Sequence, residues 1–113
     1  TGIKCNLTMD PQDISLDRDR NTAIFRIFQE TLTNVARHAE ATEVIVRLQE
    51  KDGRVELHVQ DNGRGITEQD LAHPESLGLL GIRERAKIFG GGSIIKGVPG
   101  QGTKVTVSIP VID

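Results

Sequence analysis

The apolar residues of this chain change their repeat near residue 40, and that change constrains the fold more than any other feature. From about Asp17 to Ala39 the spacing is helical: Ile24, Ile27, Phe28, Thr31, Leu32 and Val35 recur at i, i+3, i+4 and i+7. Asp17 and Asp19 favour the amino end of such a helix electrostatically, and Arg37 and His38 favour its carboxyl end. Beyond it the repeat is two. Val44, Val46 and Leu48 alternate with Ile45, Arg47 and Gln49, and Val55, Leu57 and Val59 alternate with Glu56, His58 and Gln60. Asp52-Gly53 lies between the two runs and signals a two-residue hairpin turn, whose central positions need positive φ. The runs therefore predict an antiparallel ribbon with one buried face.

The rest of the chain extends this pattern. Ile3 to Met9 alternates weakly and predicts a first strand, closed by the turn cluster Asp10-Pro11-Gln12-Asp13. Thr67 to Gly78 is polar and aperiodic and predicts a loop, with one helical turn near Glu68 to Leu71. Leu79 to Phe89 predicts a second helix with Leu79, Ile82, Ala86 and Phe89 on one side, ended by Gly90-Gly91-Gly92. Ser93 to Lys96 predicts a short strand and Gly97 to Gly102 a turn. Val105, Val107 and Ile109 mark a last strand. The order predicts an α+β, two-layer sandwich: a mixed, mostly antiparallel sheet of about five strands covered on one face by helices. With no repeat and no internal linker, residues 1–113 read as a single domain.

Composition narrows the function. A chain of 113 residues builds one core, not two. Its longest apolar runs are a few residues, so no membrane span and no direct membrane contact are expected. Net charge is −2 with both signs interspersed, and no basic stripe marks a nucleic-acid partner. Three Phe with no Tyr or Trp make a base-stacking platform poor. Cys5 alone forms no internal disulfide, which fits a reducing cytoplasm. Its place in a strand-like run predicts a buried small hydrophobe. No signal peptide is visible at Thr1, and a start without Met reads as a fragment of something larger.

Four segments carry candidate chemistry. Glu30, Asn34, Arg37 and His38 cluster on one face of the first helix, beside its apolar arc. Such groups suit a hydrated divalent cation and a polyphosphate, and equally suit a solvated face with a Glu30–Asn34 or Glu30–Arg37 contact. Asp61-Asn62-Gly63-Arg64-Gly65-Ile66 ends a buried strand. Its glycines let a flat ligand lie against the backbone, and its carboxylate accepts from an exocyclic amine; a plain turn is the alternative. Gly78-Leu79-Leu80-Gly81-Ile82-Arg83-Glu84-Arg85 opens the second helix and suits an anion, although it is neither a Walker A loop nor a dinucleotide fingerprint. Arg83 and Arg85 either reach phosphates or solvate the helix. Gly100-Gln101-Gly102-Thr103 enters the last strand as a hairpin turn, where the Thr103 hydroxyl could share an amine-recognition site with Asp61.

The order of these segments resembles the N, G1, G2 and G3 boxes of the GHKL ATPase superfamily, which includes sensor histidine kinases, Hsp90, type II topoisomerases and mismatch-repair ATPases. The likeness runs from about Asp17 to Pro110. Asn34-Val35-x-Arg37-His38-Ala39 and Gly78-x-x-Gly81-Ile82-Arg83-Glu84-Arg85 look like sensor kinases of the nitrate-sensor type, which have a short ATP lid. The resemblance implies a Bergerat-type sandwich that binds ATP with Mg2+ and transfers the γ-phosphoryl group to a histidine. It implies that Asn34 holds Mg2+, with Glu30 a possible second ligand, and that Glu30 assists proton transfer from the acceptor histidine. It places Arg37 and His38 near the phosphates or ribose, Asp61 on the adenine amine, and Gly63, Gly65 and Ile66 around it. Gly78, Leu80 and Gly81 then form the lid side, and Gly102 and Thr103 complete the adenine side. The acceptor histidine of such kinases lies on an upstream dimerisation domain; His38, His58 and His73 lack that context, so this piece is expected to bind nucleotide without labelling itself. A response regulator is the expected downstream partner, and the cytoplasm the expected place, whether or not the parent is anchored in a membrane. An anti-sigma-factor type serine kinase and a nucleotide-dependent interaction module without kinase activity are the alternative readings.

Overall fold

The computed structural model describes residues 4–10, 14, 16–35, 40–65, 79–98 and 100–111. In chain order its elements are β1 (Lys4–Asp10), α1 (Arg18–Asn34), β2 (Glu43–Lys51), β3 (Arg54–Asp61), α2 (Leu79–Ile88), β4 (Gly92–Val98) and β5 (Gly102–Pro110). The strands form one sheet in the order β1-β2-β3-β5-β4. Only β1 and β2 pair in parallel, and α1 lies in the crossover that a parallel pair requires. The other neighbours are antiparallel. The α+β sandwich with a mixed five-stranded sheet is thus the observed architecture.

Local chemistry sets the boundaries. The Asp17 carboxylate caps α1 by accepting from the Arg20 N–H at 3.0 Å. Asp52 (φ 55°) and Gly53 (φ 75°) both take the left-handed region, which makes the β2–β3 turn type I′ and sets Lys51 opposite Arg54. At the end of α2 the Gly91 N–H donates to Ala86 O and the Gly90 N–H to Lys87 O, each at 2.9 Å, with Gly90 at φ 76°. This is a Schellman cap, and the glycine run foreseen there supplies its left-handed residue. β4 runs over seven residues, longer than the four of the expected strand.

One layer of side chains joins sheet and helices. Val44, Val46, Val55, Leu57, Val59, Val105, Val107 and Ile109 meet Ile24, Ile27, Val35, Ile82 and Ala86. Full burial of a side chain such as Ile27 contributes about 1.5–3 kcal/mol. Phe28, Leu32 and Phe89 pack on the rim of this core. Arg20 is an unforeseen member of the helix layer. Its Nε donates to Pro110 O at 2.7 Å, its Nη1 pairs with Asp17 at 2.8 Å, and its guanidinium lies 5.2 Å from the Phe89 ring centroid. It ties the start of α1 to the ends of β5 and α2.

Cys5 corrects an expectation: it is exposed, not buried. Its register partner is the buried Val44, so it faces the helix side of the sheet. β1 is an edge strand, however, and the helix layer stops short of it, which leaves Leu7 59% exposed on the same face. Among the described residues no helix is long and apolar enough to cross a membrane.

Candidate functional site

At the end of β3 the buried Asp61 carboxylate turns back on its own backbone, and its Oδ1 accepts from the Gly63 N–H at 2.8 Å. This Asx-type turn starts a tight, buried path through Gly63 and Gly65, the latter at φ 85°. The Gly100 N–H donates to Arg64 O at 2.6 Å, which fastens the path to the entry of β5. Gly102 lies so near the end of β3 that a Cβ there would overlap the Asp61 carbonyl oxygen and stand 3.2 Å from Asn62 Cα. Continuing the β3–β5 register by one residue sets Thr103 opposite Asp61, and both are buried. Asp61, Gly63, Gly65, Gly102 and Thr103 are therefore brought together at one end of the sheet.

Asn62 is the residue this segment conceals. Its Oδ1 accepts from the Thr42 and Glu43 N–H groups, each at 3.0 Å, and its Nδ2 donates to Thr42 Oγ1 at 3.0 Å. It clamps the start of β2 to the end of β3. The partners are about twenty positions away in the chain, so no local pattern announces them.

A second cluster lies between the helices. Glu30 and Asn34, one turn apart on the last half of α1, are both partly buried. Glu30 Oε1 pairs with Arg85 Nη1 of α2 at 2.6 Å. Glu30 Oε2 is buried and has no hydrogen-bond partner among the described residues. Gly81, in the first turn of α2, backs onto this pair: a Cβ there would stand 2.9 Å from Arg85 Nη1 and 3.1 Å from Glu30 Oε2. The carboxylate thus reaches across to the neighbouring helix rather than to Asn34, one turn on in α1. Arg85 is engaged with it. Arg37, His38, Ile66 and Gly78 lie outside the described residues, as does the side chain of Leu80. His58 sits on the solvent face of β3, bonded to Glu56 at 3.2 Å.

Two clusters thus flank the helix-covered face: a glycine-lined carboxylate at a strand end, and an acid–amide pair on a helix beside a glycine-bearing helix start. Comparison with known proteins decides what this order means. The sequence profile described as histidine kinase-, DNA gyrase B- and HSP90-like ATPase matches residues 19–113. The chain belongs to this ATPase family. It is 37% identical over 106 residues to the sensor histidine kinase LiaS of Bacillus subtilis, covering 94% of this chain and 29% of that protein. It is 36% identical over 89 residues to the histidine-protein kinase/phosphatase DegS of Brevibacillus brevis, covering 79% and 23%. Among solved structures, the blue-light activated histidine kinase of Erythrobacter litoralis superposes with a TM-score of 0.80 at 26% identity, over 98% of this chain and 36% of that one. The catalytic domain of histidine kinase ThkA reaches the same TM-score at 20% identity, a likeness of fold, over 97% and 79%. The chain spans less than a third of the length of the curated relatives it matches, and within this ATPase family it is similar to the catalytic domains of histidine kinases.

Proposed function

We propose that this chain binds Mg2+-ATP and is the single ATP-binding catalytic domain of a cytoplasmic sensor kinase portion, which transfers the γ-phosphoryl group to a histidine on a separate dimerisation domain of the same parent. A response regulator then receives the phosphoryl group. The observation that carries the reading is the Asp61 site. One carboxylate oxygen is used by the Gly63 N–H, and the other accepts no hydrogen bond from a described residue. A buried carboxylate offers acceptors only, which suits an exocyclic amine such as that of adenine. The glycines beside it leave room for a flat ring, with Ile66 an expected wall and Thr103 a neighbouring hydroxyl.

The cluster on α1 supports the phosphate end of the same reading. Glu30 Oε2 is an oxygen acceptor without a partner among the described residues, one turn from the Asn34 amide. Hard oxygen donors of this kind fit Mg2+ that arrives already coordinated by a nucleotide. When bound, the ion neutralises charge on the triphosphate. The chain's own part is positioning. Asn34 would hold the ion, and Glu30 would accept the proton that the acceptor histidine sheds. Arg37 and His38 approach the phosphates, and Gly78, Leu80 and Gly81 bring the start of α2 against them. Little covalent work is left for the protein, because charge in phosphoryl transfer spreads over the phosphate oxygens.

The Asp61→Asn variant tests the reading. The amide keeps an acceptor for the Gly63 N–H, but turns a donor toward the incoming amine. Affinity for ADP with Mg2+ is expected to fall at least tenfold, with urea stability within about 1 kcal/mol of the parent. Equal ADP binding by both proteins would overturn the adenine assignment. Acid lability of the phosphorylated product separates phosphohistidine from the serine-kinase alternative.

A further inference from the structure

The sheet has a second face, turned away from the helices. Two adjacent rows cross it from edge to edge: Asn6, Ile45, Gln60, Lys104 and Lys96, then Thr8, Arg47, His58, Thr106 and Ile94. These rows hold Arg47, Lys96 and Lys104 and no carboxylate, in a chain whose net charge is −2. The cations come from three strands, which is why no basic stripe is visible along the sequence. Among the described residues none of the three has an ion-pair partner. His58 is occupied, bonded to Glu56 at 3.2 Å and facing Thr106 Oγ1 at 3.4 Å.

Lys96 and Lys104 stand directly opposite each other on β4 and β5. Like charges at directly opposed positions destabilise a sheet. Their placement is therefore unfavourable in the isolated domain and becomes favourable when an anion covers it. Two isoleucines are also exposed here, Ile45 at 45% and Ile94 at 59%. Ile45, Arg47, His58, Gln60 and Lys104 line a shallow depression between them. Cations interleaved with apolar and amide groups match carboxylates interleaved with apolar side chains. A single-stranded nucleic acid would also need aromatic side chains for its bases to stack on, and the chain has no Tyr or Trp.

We propose that this face is a docking surface for an acidic protein segment with interspersed apolar residues. It lies on the far side of the sheet from Asp61 and Glu30, so nucleotide and segment bind independently, and the inference stands or falls separately from the ATP reading.

The probe is a fluorescein-labelled peptide of six glutamates and two leucines, titrated with this chain in 50 mM salt and followed by anisotropy. Saturable binding is expected, weakened at least tenfold by the double variant Lys96→Glu, Lys104→Glu and by 300 mM salt, and unchanged by saturating ADP. Lys96→Glu alone creates an opposite-charge cross-strand pair, so it is expected to raise the unfolding midpoint while weakening peptide binding. That combination separates lost docking from lost fold. No binding in 50 mM salt, equal affinity in the Lys96→Glu variant, or equal affinity for a peptide with glutamine in place of glutamate would overturn the proposal. So would retention by phosphatidylserine vesicles without peptide binding, which assigns the face to a membrane.

Discussion

Gly102 is where fold and candidate site are hardest to separate, and a single methyl tests the join. The residue sits at φ 132°, a region that side-chain-bearing residues occupy at a cost of about 1–3 kcal/mol. The Cβ of Gly102→Ala would overlap the Asp61 carbonyl oxygen and lie 3.0 Å from the Asp61 carbonyl carbon. The obstruction is backbone on both sides, so no side-chain rotation relieves it, and the strand ends must part by about an ångström. Overpacking of this kind adds about 1–3 kcal/mol. The sum is about 2–6 kcal/mol, a large share of the about 5–15 kcal/mol that holds a domain together.

The shift opens between Asp61 and Thr103, so nucleotide affinity falls with stability. Two other glycines separate those effects. A Cβ at Gly91 would overlap Ser108 O and lie 2.9 Å from Ile109 Cα, at the opposite end of β5. Gly92, one position on, has nothing within 4 Å. In urea unfolding, Gly102→Ala and Gly91→Ala are expected to lose stability and Gly92→Ala to lose little. In ADP titrations scaled to the folded fraction, only Gly102→Ala is expected to weaken binding, by tenfold or more. If Gly102→Ala were as stable as Gly92→Ala, the close approach would not be real. If Gly91→Ala lost as much affinity, the effect would be global and the site argument would fail.

Glu30 and Arg85 are each about one-third exposed, so a double-mutant cycle with alanine at both is expected to give a coupling of about 0.5–1 kcal/mol that shrinks in 0.5 M salt; additive single effects would refute the pair. The exposed Cys5 thiol is expected to react with Ellman's reagent in the native protein at nearly the rate of a denatured sample, and protection from the reagent would restore the buried reading. Glu40 holds φ 53°, so Glu40→Gly removes a left-handed strain of about 1 kcal/mol and is expected to hold or raise the melting temperature. A clear loss would show that the Glu40 side chain contributes more than its backbone costs.

What was legible in the sequence follows the range of the interactions. The hairpin at Asp52-Gly53 and the glycine stop after α2 are local, and each residue announces its own conformation; Asp17 reads as a favourable charge, and its cap is an equally local contact. The apolar periods were legible because burial is a property of faces, and Ile24, Ile27, Ile82 and Val107 lie where their spacing put them. Cys5 was not legible, because alternation tells which face a residue takes but not whether the other layer extends that far. Arg20 was not, because its partners Pro110 and Phe89 are distant in sequence and a lone arginine on a helix usually reads as solvated. The same limit separates the halves of the candidate site. Asp61, Gly63 and Gly65 stand together in the chain, whereas the Glu30–Arg85 pair joins residues 55 positions apart. Of the two, the second depends on how α1 packs against α2. Any ligand that moves α2 therefore acts on the Glu30 carboxylate directly.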